Sequence, residues 1–432
     1  MKKKLIFCIS IVLCILMCIS SIPFSAYIVE CPVDVTSRAA FVANLETETV
    51  VYEKNSDGIR YLSYLTHIMT YIVARSSIAS LDEKVEIKPE VLDSIEEPDN
   101  SLDKFSGKTL TANDLFHYML LKDSKDAAFV IADYVSNGKV DEFVELMNKK
   151  ARSLGCEKTV FISPSIIKEP TQYSTCEDMY KIVKCALETP DYKEITRTTS
   201  YLPSLYDGSN KNSKKNLITT TNSLLKSNSP YYFKHVKNGV YGADSVARGN
   251  VVAMSEYSDV RYVCIIMGAQ VLSEHNAFTE TKQLLTWAYV TLGNKQIVSQ
   301  SKVLQTIDVS TEWGKSSVNL TTDEDIVRTV PGNYNPDLLT YKVDSDISVS
   351  LPVFKGQNIG TAELYYDDMY FDEINLIAST SEGVSMLGDM RSFFASMADA
   401  TLVPENVDET TEETVAQTEE PTTKPTKTQT EQ

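Results

Sequence analysis

Two short runs with strand character, Ala39-Ala40-Phe41-Val42-Ala43-Asn44 and Val50-Val51-Tyr52-Glu53, flank the polar Glu46-Thr47-Glu48 and predict a strand pair around a turn. The period then changes. Ile68, Met69, Ile72 and Val73 form one stripe of a helix over Leu65–Ala74. Leu110 to Leu115 reads as the start of another helix, with Thr111 as its cap and Asp114 three residues on. Helical spacing returns over Ala127–Val135, Val140–Leu154, Cys176–Leu187 (begun at Ser174-Thr175) and Thr281–Leu292. Val251–Met254 and Tyr262–Gly268 read as strands split by a polar turn at Ser255–Asp259. The second is apolar throughout, as a strand covered on both faces should be.

Beyond residue 300 the helical period is lost. Val303–Val309, Ser317–Leu320, Ile347–Val353, Thr361–Tyr366 and Phe371–Ile377 are short β-type runs between polar turns. Leu387, Met390, Phe394 and Met397 then recur at helical spacing, which predicts an amphipathic helix over 384–402, too short to span a membrane. Residues 403–432, rich in Thr, Glu and Pro, are expected to be disordered. The expected organisation is therefore a targeting segment over 1–26, a mixed domain over 38–292, a small all-β domain over 300–380, the helix and the tail.

Composition narrows the partners. The 432 residues are 43% apolar and carry a formal net charge of −18, which argues against nucleic acid or an anionic membrane surface. Lys2-Lys3-Lys4 followed by the uncharged run Leu5–Ile22 has the form of a secretory signal or of an uncleaved anchor, cleavage being the preferred reading. The body of the chain is then extracytoplasmic, secreted or held at the outer face of the membrane. Association with that membrane would go through this N-terminal run or through the C-terminal helix. Outside the leader, Cys31, Cys156, Cys176, Cys185 and Cys264 are odd in number and irregular in spacing, so free thiols are expected. His67, His117, His235 and His275 show no paired spacing, and neither a metal nor a cofactor is expected.

Several segments, taken in order, carry a family resemblance. Tyr52-Glu53-Lys54-Asn55 is followed by Ile68-Met69-Thr70, Gly107-Lys108-Thr109-Leu110-Thr111 and Asp126-Ala127-Ala128. Then come Leu146-Met147-Asn148-Lys149-Lys150-Ala151 with Leu154-Gly155, Thr221-Asn222-Ser223-Leu224-Leu225, and Pro352-Val353-Phe354-Lys355-Gly356. Together these resemble the DD-carboxypeptidase branch of the penicillin-binding proteins, the peptidase S11 family of serine enzymes that trim peptidoglycan stem peptides. The resemblance implies an α/β (α+β) serine β-lactamase/DD-peptidase-like domain with a central antiparallel sheet and a helical lobe, followed by a small all-β domain.

It also implies three motifs at one cleft: a nucleophilic serine with a lysine one helical turn later, a Ser-x-Asn, and a Lys-Thr-Gly strand. The first spacing has a physical reason, since residues three apart share a helix face and the base can reach the hydroxyl. In this chain the corresponding positions hold Tyr64 and His67, then Asp123 and Lys125, then Val240, Tyr241 and Gly242. The Asn-Pro-x-Gly-Leu segment is Ser163-Pro164-Ser165-Ile166-Ile167. Ser101/Lys104, Ser165/Lys168 and Ser223/Lys226 satisfy Ser-x-x-Lys but lack the apolar helix after a strand pair that the motif requires, and Ser317-Val318-Asn319 falls among the late strands. Tyr64 is expected to fill the vacated serine space with His67 hydrogen-bonded beside it. Lys122, Asp123, Lys125 and Asp126 read as a solvated charged loop, in which Lys125 could pair with Asp123. The expectation is an inactive homologue that binds peptidoglycan or a cell-wall enzyme, against the alternatives of an active D-Ala-D-Ala carboxypeptidase and an extracellular scaffold.

Overall fold

The computed structural model describes residues 30–166, 172–205, 216–270, 276–311, 314–343, 347 and 351–382. The expected leader over 1–26, helix over 384–402 and tail over 403–432 lie outside the described residues, as do His275 and Lys168.

β1 (Ala39–Asn44), β2 (Val50–Lys54), β3 (Val236–Asp244), β4 (Arg248–Tyr257) and β5 (Val260–Ala269) form one antiparallel sheet in the order β2-β1-β5-β4-β3. The apolar run at Tyr262–Gly268 is thus its middle strand. All six residues of β1 are buried because both faces of the sheet are covered, and the period of two sorts them. Ala39, Phe41 and Ala43 join one core with Val263, Ile265 and Met267, whereas Ala40 and Val42 join a second core with Cys264 and Ile266. The β4–β5 turn is tighter than the sequence implies, because Ser258 and Asp259 both take positive φ and close a two-residue hairpin loop.

The first core lies under a helical lobe: α1 (Thr66–Ser77), α2 (Pro89–Asp93), α3 (Ala112–Lys122), α4 (Lys125–Ser136), α5 (Val140–Ser153), α6 (Cys176–Leu187) and α7 (Pro190–Arg197). α8 (Asn276–Thr291) covers the other face with Phe278, Leu284, Leu285 and Trp287. α3 starts at a capping box, in which the Asp114 N–H donates to Thr111 Oγ1 at 3.0 Å and the Thr111 N–H donates to Asp114 Oδ2 at 2.9 Å. Short α2 and α7, each with proline in its first turn, escape a reading based on periodicity.

The C-terminal part is all β. β6 (Leu292–Val298) pairs with β9 (Ile326–Pro331). β7 (Gln305–Thr311), β8 (Gly314–Thr321), β10 (Leu339–Val343), β11 (Asn358–Tyr366) and β12 (Met369–Ala378) form a sheet in the order β7-β8-β12-β11-β10. Of the expected strand at Ile347–Val353, residues 348–350 lie outside the described residues, and at its end Val353 makes one isolated bridge, to Glu382. The two parts meet at the β1–β2 turn. Thr47 Oγ1 lies 2.8 Å from Thr329 Oγ1, and the Asn44 Nδ2 amide and the Thr329 hydroxyl both donate to Asn294 Oδ1 at 3.0 Å.

Cys31, Cys156, Cys176, Cys185 and Cys264 are all unpaired. Among the described residues no helix is long and apolar enough to cross a membrane.

Candidate functional site

Tyr64 sits in a short 3-10 turn, Ser63–Leu65, that leads directly into α1. Ser63 adopts φ +49°, and its buried hydroxyl has no hydrogen-bond partner. The turn presses against β3. A Cβ added to Gly242 would lie 2.6 Å from Tyr64 Cβ, so glycine at this position is a requirement of close approach. The half-buried phenol has its pKa pushed up to about 12, chiefly by burial and then by the carboxylates of Asp123, Asp99 and Asp244. The ring meets His67 edge-on, with centroids 5.5 Å apart.

His67 is fully buried, and both ring nitrogens are engaged. Nδ1 lies 3.0 Å from Met119 O, and since a carbonyl can only accept, this nitrogen carries the proton. That carbonyl is one of the last four of α3, which have no partner within the helix, so the imidazole satisfies a helix terminus. Nε2 is left as the acceptor and takes the Ser165 hydroxyl at 2.7 Å. Burial lowers the imidazole pKa to about 4, against a small opposing effect of the Met119 carbonyl, so the ring is neutral at physiological pH.

The same face of α1 grips the Ser163–Ser165 segment at other points. The Thr70 hydroxyl donates to Pro164 O at 2.6 Å. Gln172 Nε2 donates both to Thr66 Oγ1 at 2.7 Å and to Ser165 O at 2.9 Å. His67 therefore belongs to a buried polar seam joining α1, the end of α3 and the Ser163–Ser165 segment. Ser165, one of the displaced Ser-x-x-Lys serines, is fully buried within it.

The second motif departs from the solvated loop expected of it. Asp123 is the αL cap of α3, at φ +61°. Burial raises its carboxyl well above the ordinary range, with the Thr221 hydroxyl acting in the opposite direction and Asp99 raising it further. Lys125 is buried and does not pair with Asp123. Its Nζ donates to Glu96 O at 2.9 Å. Ser124 caps α4 by accepting from the Ala127 N–H at 3.1 Å, and it shares a 2.5 Å hydrogen bond with Ser101. Asp126 accepts from the Asp99 N–H at 3.2 Å and the Leu102 N–H at 3.1 Å. Burial and the adjacent Asp99 carboxyl raise its pKa to about 7. Glu96–Leu102 is thus stitched onto the start of α4. Only Lys122 of the charged run is exposed as expected.

At the third motif, strand alternation divides the residues. Gly242 faces Tyr64 and Val240 packs in the same core as α1, while Tyr241 points to the opposite face and packs on Phe278 at 4.5 Å. The turn of Tyr64 and His67, Asp123, and the Val240/Gly242 face therefore converge, while Tyr241 and the Lys125 ammonium are directed elsewhere. Ser101 and Lys104 diverge, the lysine donating to Asn216 Oδ1 at 2.7 Å. His117 stacks on Tyr201, with centroids 3.6 Å apart and a 12° tilt.

A sheet with helices on both faces, a helix N-terminus butted against an edge strand, and a following all-β part make up a DD-peptidase-type architecture. Penicillin-binding protein 5 from Haemophilus influenzae superposes with a TM-score of 0.66 at 21% identity, over 82% of this chain and 99% of that one. The D-alanyl-D-alanine carboxypeptidase family, peptidase S11, matches residues 26–271, and the penicillin-binding protein 5 C-terminal domain matches residues 293–382. The chain belongs to the D-alanyl-D-alanine carboxypeptidase family. D-alanyl-D-alanine carboxypeptidase DacF of Bacillus subtilis is 25% identical over 334 residues, 77% of this chain and 82% of its own length. DacC of Escherichia coli, also a D-alanyl-D-alanine carboxypeptidase, is 25% identical over 359 residues, 81% of this chain and 84% of its own.

Proposed function

We propose that this chain is an exported, non-catalytic member of its family that binds a peptidoglycan component or a wall-synthesis enzyme. The observation that carries this reading is the commitment of His67. A hydroxyl nucleophile needs a base with a free lone pair at its oxygen. Here the Nε2 lone pair of His67 is taken by Ser165 and the other nitrogen carries the proton donated to Met119 O. Tyr64, with its pKa raised to about 12, has no other base from its own helix turn. Val240 and Tyr241 provide no cation for a substrate carboxylate at the Lys-Thr positions. The elements that carry the three motifs still converge, which supports binding without turnover.

Labelling with a fluorescent penicillin, together with D-alanine release from a pentapeptide, tests the proposal against an active relative run in parallel. Neither signal is expected above a no-protein blank. A covalent label, or steady release, would overturn the proposal in favour of a working serine carboxypeptidase. Co-sedimentation with purified peptidoglycan then separates a wall ligand from a pure protein scaffold.

A further inference from the structure

Arg38, Ile59, Arg60, Tyr61, Ala247 and Gly268, a set that does not include Tyr64, line a cavity of about 250 Å3. Two arginines line it in a chain whose net charge is −18. Among the described residues neither arginine forms an ion pair. Arg60 is held in place by the backbone: Nη1 donates to Ile59 O at 2.7 Å and Nη2 to Arg38 O at 2.9 Å, while its buried Nε has no partner. Asn55 Nδ2 donates to the same Arg38 carbonyl at 3.1 Å, which fixes the strand end that carries Arg38.

Gly268 makes room for the second arginine. It has φ +74°, and a Cβ there would lie 2.9 Å from Arg38 Cβ and Cδ. The β3–β4 turn supplies one carboxylate, Asp244, but that group accepts the Val246 and Ala247 N–H groups at 2.6 and 2.7 Å. An arginine fork fixed by backbone carbonyls loses little freedom on binding and matches the planar or tetrahedral oxygens of an oxyanion. Two unneutralised guanidiniums beside a concave space favour such a ligand over water.

We propose that the Arg38–Arg60 cavity is a binding site for a small oxyanion, a carboxylate or a phosphate. It is separate from the Tyr64 cleft and independent of whether that cleft is catalytic. The test is calorimetric titration of the full chain with inorganic phosphate and, in a second arm, with acetyl-dialanine as a peptide carboxylate, each at matched ionic strength in chloride. Saturable binding of one or both probes is expected, and the arm that binds identifies the source of the oxyanion. Arg38→Gln and Arg60→Gln should each weaken binding about tenfold or more, the loss of one charge-assisted hydrogen bond. Lys302→Gln, in the C-terminal part, should leave binding unchanged. Absence of saturable binding in both arms, or affinity unaltered by Arg38→Gln, would overturn the proposal. Arg38 is exposed, so that variant decides the matter even if Arg60→Gln fails to fold.

Discussion

Replacing His67 with glutamine should change how stability responds to acid, and by an amount the structure specifies. The imidazole is buried and its pKa falls from 6.5 to about 4 on folding. Between those values the unfolded chain binds a proton that the folded chain refuses, so stability declines as pH falls. The contribution is intact above pH 6.5. Linkage puts the loss at about 2 kcal/mol by pH 5 and about 3 kcal/mol by pH 4. Asp126 works against this slope, because its pKa of about 7 makes the folded chain the better proton binder in the same window. The wild-type curve alone is therefore uninformative, and the difference from His67→Gln is the quantity to measure. Glutamine does not titrate, and its amide can both donate to Met119 O and accept from Ser165. Urea denaturation at pH 7.5, 6 and 5 gives the comparison. The advantage of histidine over glutamine should shrink by about 2 kcal/mol from pH 7.5 to pH 5. A difference that stays constant over that range would refute a buried, neutral imidazole and the seam built around it.

Gly242→Ala should lower stability by about 1–3 kcal/mol, because its methyl meets Tyr64 Cβ, and thermal melting reads the loss. Adding Tyr64→Ser should not rescue it, since serine keeps that Cβ. Asp126→Asn removes a carboxyl whose raised pKa weakens the fold as pH climbs through 7, so the variant should gain on wild type between pH 6 and pH 8.5 in denaturant titrations. Tyr64→Ser combined with His67→Lys restores the first motif by name, yet should release no D-alanine, because Asp123, Lys125, Val240 and Tyr241 still occupy the other two. Steady product formation by that double variant would contradict the assignment.

Much of this architecture is legible in the chain, and the reasons are local. Tyr262–Gly268 announces a doubly covered strand because every residue but the last is apolar or aromatic, and Thr111/Asp114 announces a helix start because its hydrogen bonds span three residues. β6, β9 and β10 were missed because Gly293-Asn294-Lys295-Gln296, Arg328-Thr329 and Thr340-Tyr341-Lys342 lack an apolar face of sufficient length. At the site, the frame placed Tyr64 and His67, but not what they touch. Ser165 lies 98 positions from His67, and Met119 contributes a backbone oxygen that no side chain betrays. Lys125 and Asp126 were misread because charge normally marks solvent, and only the fold reveals the Glu96 carbonyl and the Asp99 loop that receive them.

The joint between the β1–β2 turn and β9 rests on threonine hydroxyls and asparagine amides, none of which ionises between the acidity of a vesicle and that of an alkaline buffer. Contacts of that kind are also indifferent to dissolved ions, which screen charges and leave neutral dipoles nearly untouched. A shift in acidity would therefore bear on the His67 seam and the Asp126 corner while this hinge-like seat stays fastened.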